Sequence, residues 1–264
     1  MMAILGSRTK TGISWISESI GLIKQAPRKW LFIALVYLAI FVFIPSIPGF
    51  QLFALLTIII WPVFIAIAIR MYRNEEVKKT ENISIIMQLI QPKMKKLLLL
   101  GFLTLIYFIG VSLLFSSDAH VLAEILNKQT QMTEQEMATA MQTIMPILLK
   151  LMLMFVPLMI AVWFAPMLIA FHDYSVIKAL KSSVAGAIQY VISLTAAWLL
   201  LSGAIITMMI IASVVVGLFS FMQPAIVQTL MSFLLFGCFL ISVALTLAFQ
   251  YVSYRDIFRA APTA

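Results

Sequence analysis

The sequence predicts an all-α integral membrane protein, a bundle of six transmembrane helices. The 264 residues are 63 % hydrophobic and 11 % charged, with a mean hydropathy of +1.08, which is too apolar for a water-soluble globular domain. Six separate apolar stretches each approach the ~20 residues that cross the hydrocarbon core of a bilayer. Lys and Arg gather in every second connection between these stretches, as they do in multi-pass membrane proteins.

The six predicted spans use about half of the chain. They cover about 30–47, 50–69, 97–115, 147–171, 191–217 and 227–250. The remaining residues are divided among short connections, so we expect one membrane domain over residues 1–264 and no separate soluble domain. Residues 1–29 carry polar and charged groups throughout, so no cleavable signal peptide is expected and the first span should be retained.

The distribution of basic residues predicts that both termini are cytoplasmic. Sixteen of the 18 Lys and Arg residues lie in the terminal segments or in connections on the same side of the membrane. Lys128 falls on the opposite side, and Lys150 lies near the outer start of the fourth span, from which its ammonium group can reach the interface. Cytoplasmic segments carry the excess of Lys and Arg in membrane proteins.

Three amphipathic segments are expected to lie on the cytoplasmic interface of the membrane. The first covers residues 12–25, where four isoleucines recur at helical spacing: Ile13, Ile16, Ile20 and Ile23. The others cover about 83–91 and 176–188, and all three are too short to cross the bilayer. Each segment precedes two spans, so the unit of one interfacial helix and two spans occurs three times.

The ends of these units favour a threefold parallel repeat. Residues 68–73, 170–174 and 252–256 each combine Tyr with charged residues where a span should meet the headgroups. An aromatic belt, which is common in unrelated membrane proteins, explains the same pattern without a repeat. On the other side of the membrane, residues 116–146 are expected to form a small helical cap that continues into the fourth span.

The fourth span carries the main candidate site. It contains Pro157 and Pro166, each of which removes an amide donor and frees a carbonyl one turn earlier. Broken helices mark substrate sites in many transporters, whereas a simple kink explains the prolines equally. No Asp, Glu or His falls in the middle of any span, which disfavours an ion-coupled transporter and favours an apolar or amphiphilic guest. The predicted cleft wall consists of Trp163, Phe164 and Pro166.

Basic residues at the start of the first and third spans predict contacts with anionic lipid headgroups. The candidates are Arg28, Lys29, Lys93, Lys95 and Lys96. Membrane lipids are therefore the expected partners, and nucleic acid is not expected. The sequence leaves open whether a protein partner or a second copy of the chain also binds.

No catalytic residue, cofactor or metal site is expected. His172 and Asp173 follow the fourth span, where they could bind a metal or move a proton. The simpler interpretation is an interfacial His and an Asp that caps the next helix. Thioethers on the outer side suit Cu(I), although a flexible apolar role explains them as well: Met132, Met137, Met141 and Met145.

Two stretches resemble a known group of proteins. They are W-F-A-P-M-L-I-A-F-H-D-Y-S-V-I-K-A-L-K-S-S at 163–183 and S-Y-R-D-I-F at 253–258, and they resemble a family of uncharacterised six-span inner-membrane proteins of proteobacteria. More distantly, a small residue and Pro that close a span, followed by a helix with A-x-x-x-S, look like YciC-type proteins and the membrane domain of some glycerophosphodiester phosphodiesterases. The resemblance implies a bacterial inner (plasma) membrane location and supplies no catalytic residues.

Two function classes remain for a chain that is not expected to be an enzyme. One is transport or handling of a lipid-like or amphiphilic molecule, and the other is a non-catalytic scaffold or accessory subunit of an envelope complex. A cavity closed by the fourth span would favour the first class, and an exposed face of small residues would favour the second. Small residues at four-residue spacing predict helix contact faces: Gly203 and Thr207, Ser213 and Gly217, Ala244 and Ala248.

Overall fold

The computed structural model describes residues 2–50, 52–128, 134–219, 221 and 223–258. Within these residues the chain is helical and has no β-strand. Twelve α-helices are defined in the described part of the chain: α1 (Met2–Gln25), α2 (Pro27–Leu38), α3 (Ile44–Ser46), α4 (Phe53–Glu76), α5 (Ile83–Ile90), α6 (Met94–Leu114), α7 (Ser116–Lys128), α8 (Glu134–Trp163), α9 (Ala165–His172), α10 (Val176–Gln189), α11 (Val191–Leu218) and α12 (Pro224–Phe258). A wider π turn over Ala39–Phe43 joins α2 to α3, and a 3₁₀ turn over Gln91–Lys93 joins α5 to α6.

Six helical segments are long and apolar enough to cross a membrane. They are Pro27–Ser46, Phe53–Glu76, Ile83–Leu114, Gln135–His172, Val191–Leu218 and Pro224–Phe258, which we number spans 1 to 6. Each overlaps one predicted stretch, so the prediction of an all-α chain with six apolar helices of spanning length is confirmed.

Two spans extend further than the hydropathy of the sequence indicates. Span 2 continues past residue 69 to Glu76, and span 6 continues past residue 250 to Phe258. The extra turns carry charged residues, and these residues pair with one another across the two helices. The guanidinium of Arg255 pairs with the carboxylate of Glu76, to which the hydroxyl of Tyr251 also donates.

Helices occupy the three positions predicted for interfacial segments, namely α1, α5 and α10. The first is longer than expected, because α1 begins at Met2 rather than near residue 12. It packs on α11 at Gly12, where a Cβ atom would collide with the carbonyl oxygen of Ser193. Trp15 and Ser19 face the bundle and are fully buried, whereas Ile13 and Ile20 face outward and are exposed.

The buried core lies in one half of the bundle. In α12 nearly all buried residues fall between Ala244 and Tyr254, and in α4 they fall between Pro62 and Asn74. This half also holds α1, α9 and α10. We call its outermost part, residues 9–29, 70–96, 172–190 and 251–258, the basic end, because fourteen Lys and Arg residues lie there.

Contacts across the basic end join segments that are far apart in sequence. Arg255 pairs with Glu18 of α1 at 2.6 Å, and the indole of Trp15 donates to Asp256 at 2.8 Å. The hydroxyl of Tyr254 lies 3.0 Å from Nδ1 of His172. The N-terminal helix and the end of span 6 therefore lie at the same end of the bundle, as an even number of spans requires.

Candidate functional site

A cavity of about 540 Å³ lies in the middle of the bundle. All six spans contribute to its wall, and seven of the lining residues are aromatic, among them Trp61, Trp163 and Trp198. None of the lining residues carries a charge. A concave, largely apolar site of this size is typical of a binding pocket for a small apolar or amphiphilic molecule.

The three residues of the predicted cleft wall have different positions. Trp163 lines the cavity, and its ring lies 5.0 Å from that of Trp198, centroid to centroid. Phe164 is fully buried and packs edge-on against Phe258 at 5.5 Å. Pro166 is buried in α9. Phe164 and Pro166 therefore lie behind the wall, between the cavity and the basic end, and do not line it.

Span 4 is interrupted beside the cavity at a single residue. The helix α8 ends at Trp163, α9 begins at Ala165, and Phe164 between them has φ −103° and ψ −10°. Pro166 has no amide hydrogen and so cannot continue the helical ladder. By contrast, α8 runs through Pro157 without a break, so only one of the two prolines coincides with an interruption.

Two polar side chains from other helices satisfy the backbone at this interruption. The hydroxyl of Ser183 donates to the carbonyl of Ile160 at 2.8 Å and accepts from the amide of Phe164 at 3.1 Å. In a continuous helix these two backbone groups would bond directly. The side-chain amide of Gln250 donates to the carbonyl of Trp163 at 2.6 Å. The break is therefore fixed from both sides, by α10 and by α12.

Neither Ser183 nor Gln250 was singled out by the sequence as a functional residue. A signal for both existed, because a proline inside a span frees carbonyl groups that need donors from neighbouring helices. Ser183 is the Ser of the A-x-x-x-S pattern in α10, in which Ala179 is also fully buried. Gln250 is buried and stands at the end of a predicted apolar stretch.

The polar groups in the cavity wall mostly act as acceptors. The hydroxyls of Thr57, Thr104, Ser242 and Thr246 each donate to a carbonyl of their own helix. Their lone pairs remain available to a guest. Two donors of the wall, the hydroxyl of Tyr37 and the indole N–H of Trp163, have no hydrogen-bond partner among the described residues, and the indole nitrogen of Trp163 is buried. The wall thus suits a molecule with a long apolar part and a hydroxyl group.

The five predicted headgroup contacts divide into paired and unpaired cations. Lys29 pairs with Glu75 at 2.7 Å, and Lys93 and Lys96 both pair with Asp173, at 2.5 and 2.8 Å. Arg28 and Lys95 are exposed, and in the described part of the chain they form no ion pair. Among the five, Arg28 and Lys95 are therefore the two whose charge is most available to an anionic lipid.

Asp173 does not cap the helix that follows it, contrary to the simpler interpretation of the sequence. Ser175 caps α10, its side chain accepting from the amide of Lys178. Asp173 ends α9 with a left-handed φ of 55°, and hydrogen bonds from Lys93 and Lys96 lower the pKa of its carboxyl group to about 2.

The structure adds little to the metal hypotheses. No group of three or more His, Cys, Asp and Glu side chains that could hold a metal ion occurs among the described residues. Of the four outer methionines, Met132 lies outside the described residues, and Met137, Met141 and Met145 are exposed.

Comparison with known proteins supplies no relative for this chain. No protein-family model, no curated protein and no solved structure matches it.

Proposed function

We propose that this chain is a non-catalytic, multi-pass protein of a bacterial inner membrane that binds and handles a lipid-like or amphiphilic molecule in its central cavity. The observation that carries the proposal is the uncharged, aromatic-lined cavity of about 540 Å³ between the six spans. A compactly packed bundle would leave no such space, because protein interiors contain few voids larger than a water molecule.

The position of the cavity supports entry from the bilayer. Four of its lining residues are exposed on the bundle, namely Val42 of span 1, Met159 of span 4, Trp198 of span 5 and Phe239 of span 6. The cavity therefore reaches the lateral surface of the bundle. On the side of the basic end, the buried rings of Phe164 and Phe249 pack against the lining residues Trp163 and Trp198. In a bilayer, the open side faces acyl chains and the closed side faces the basic end.

The membrane location and orientation are part of the proposal. The inner-membrane location is supported by the resemblance of residues 163–183 and 253–258, and the cytoplasmic termini are supported by the excess of Lys and Arg at the basic end. With this orientation, Arg28 and Lys95 face the anionic headgroups of the cytoplasmic leaflet.

Filling the cavity tests the proposed function. Ser242 lines the cavity, and Ser242→Phe places a large side chain in it. Ser232 is exposed on the same helix and likewise donates to the carbonyl four residues earlier, so Ser232→Phe is the matched control. We expect native mass spectrometry to detect a co-purified amphiphile on the wild type and on Ser232→Phe, and to detect none on Ser242→Phe. Equal retention by all three proteins would contradict the proposal.

A scaffold or accessory subunit is the second candidate function, and span 5 favours it. Only 11 % of its most apolar 18-residue stretch is buried against the rest of the chain. Gly203, Thr207, Ser213 and Gly217 are exposed on it, whereas Ala244 and Ala248 of span 6 are buried in an internal contact. Small residues allow close approach of a second membrane helix. Cross-linking from cysteines placed on this face of span 5 would separate this role from lipid binding.

A further inference from the structure

The volume of the cavity restricts the size of the guest. At roughly 30 Å³ per heavy atom, the share of a water molecule in the liquid, a cavity of about 540 Å³ holds about 18 heavy atoms. That number corresponds to one long acyl or prenyl chain. A phospholipid with two acyl chains has more than twice as many heavy atoms, so the cavity cannot enclose it.

The shape of the cavity also corresponds to a single chain. Along span 6 the lining residues run from Phe239 to Gln250, which at 1.5 Å per residue is about 16 Å along the helix axis. This length is about half of the roughly 30 Å hydrocarbon core. The cavity therefore has the length to hold a chain of this size that lies parallel to the helices.

The polar groups of the wall determine the chemistry of the head of the guest. No lining residue is charged, and an ionised group buried without a partner is strongly disfavoured. Four hydroxyl oxygens offer lone pairs, and the hydroxyl of Tyr37 offers a donor. A hydroxyl group on the guest can use both kinds of partner, whereas a phosphate or carboxylate finds no cation in the wall.

We propose that the guest is a single-chain lipid with an uncharged, hydroxyl-bearing head, such as a long-chain alcohol or a monoacylglycerol with a medium-length acyl chain. Its chain lies inside the cavity along the spans, and its head bonds to the hydroxyl groups of the wall. This inference rests on the proposed function, because it specifies what the same cavity binds.

Tryptophan fluorescence provides a direct assay. Three of the five Trp residues line the cavity, whereas Trp15 and Trp30 are fully buried elsewhere. A bromine atom on a lipid chain quenches an indole that it contacts. The protein is placed in nanodiscs of unbrominated diacyl phosphatidylcholine and titrated with a chain-brominated monoacylglycerol. A chain-brominated alkyl sulfate, which is single-chained and permanently charged, is tested in the same way. Nanodiscs of brominated diacyl phosphatidylcholine form the third arm.

We expect the brominated monoacylglycerol to quench the fluorescence of the wild type and of Ser232→Phe. This quenching should be largely lost in Ser242→Phe. Quenching in the other two arms should be the same in all three proteins. If Ser242→Phe reduces quenching by the brominated diacyl lipid, the proposal of a single-chain guest is wrong. If Ser242→Phe reduces quenching by the alkyl sulfate, the proposal of an uncharged head is wrong. Either result would leave the proposed function intact. If Ser242→Phe changes quenching in none of the arms, the proposed function fails together with this inference.

Discussion

At the scale of single residues, Ser183 has an unusual position. Its hydroxyl stands between an amide and a carbonyl of the neighbouring span and bonds to both. The side chain is fully buried, so no water replaces it readily. When one partner of such a pair is removed, the buried groups left behind destabilise the fold by about 1–3 kcal/mol.

Replacing this hydroxyl tests how firmly the break in span 4 is held. We expect Ser183→Ala to lower the free energy of unfolding in detergent by about 1–3 kcal/mol, because the amide of Phe164 and the carbonyl of Ile160 lose their partner. Ser182→Ala, one residue away on α10, is the control and should change it by less than about 0.5 kcal/mol. Equal effects of the two substitutions in a denaturant titration would show that Ser183 does not hold the break.

Glu81 provides a second test, which depends on pH. Its side chain is 6 % exposed and pairs with Arg70 at 3.1 Å and with Lys79 at 3.1 Å, and Asn74 donates to it at 2.9 Å. The hydrogen bond from Arg70 is the main cause that lowers the pKa of Glu81 from 4.5 to about 2. The carboxylate therefore stabilises the fold fully above pH 4.5, and this stabilisation is lost as the pH falls through about 2.

The expected result concerns the difference in Tm between the wild type and Glu81→Gln. This difference should be constant above about pH 5 and should shrink as the pH is lowered further, because the wild-type carboxylate becomes protonated while the amide does not titrate. Thermal unfolding in detergent across this range measures it. A difference that grows on acidification would mean that the sign of the pKa shift is wrong.

At the scale of elements, α1 shows how a helix outside the spans is attached. It lies against α11 and α12 with Gly12, Trp15 and Ser19 towards the bundle, and the isoleucine stripe seen in the sequence is divided, because Ile16 and Ile23 pack against the core. Ile13 and Ile20 of that stripe are exposed. They are therefore free to contact the membrane interface, as the sequence predicts.

Two glycines of α1 form a matched pair for testing this attachment. An added Cβ at Gly12 meets the backbone of Ser193, whereas one at Gly21 meets nothing within 4 Å. We expect Gly12→Ala to lower the Tm and to increase proteolysis of α1, because the helix must move away from α11. Gly21→Ala should stabilise the protein by about 0.5–1 kcal/mol, since alanine is the better helix former. Stabilisation by both substitutions would contradict the docking of α1.

The sequence predicts the positions of the helices better than it predicts which residues the helices contact, and the reason is physical. Hydropathy expresses how favourable the transfer of each residue into lipid is, so it identifies all six spans. It places the end of span 6 at residue 250, a few residues before the charged residues begin. The helix continues to Phe258 because Arg255 is neutralised by Glu18 and Glu76, which lie more than 170 residues earlier in the chain. The same limit explains why Trp163 alone, of three predicted wall residues, lines the cavity. Proline marks the break, whereas the packing of α10 and α12 determines which side chains face inward.

At the scale of the whole molecule, the two halves of the bundle are packed differently. One half holds the buried core, and the basic end at its extremity holds the ion pairs that join α1, span 2 and span 6. In the other half the apolar side chains of spans 4 to 6 are largely exposed, for example Leu153, Leu218 and Phe233. The cavity lies between these two regions. A tightly packed base and a loosely packed opposite half would allow the spans to separate around a guest without loss of the fold.

The orientation of this asymmetric bundle is open to a direct test. In a Cys238→Ala background, single cysteines are placed at Lys95 of the basic end and at Ala123 of α7, both of which are exposed. An impermeant maleimide should label position 123 in intact spheroplasts and should label position 95 only after lysis, because the positive end remains in the cytoplasm. The reverse pattern would place the basic end outside.

The central claim is that the cavity holds an amphiphile in the membrane. The most direct measurement is an experimental map of the protein in nanodiscs of native lipid, obtained by electron microscopy with a bound antibody fragment as a fiducial. We expect one elongated density beside Trp163, Trp198 and Phe239 in the wild type, and none in Ser242→Phe. A wild-type map in which these side chains close on one another, with no density and no space between them, would contradict the account.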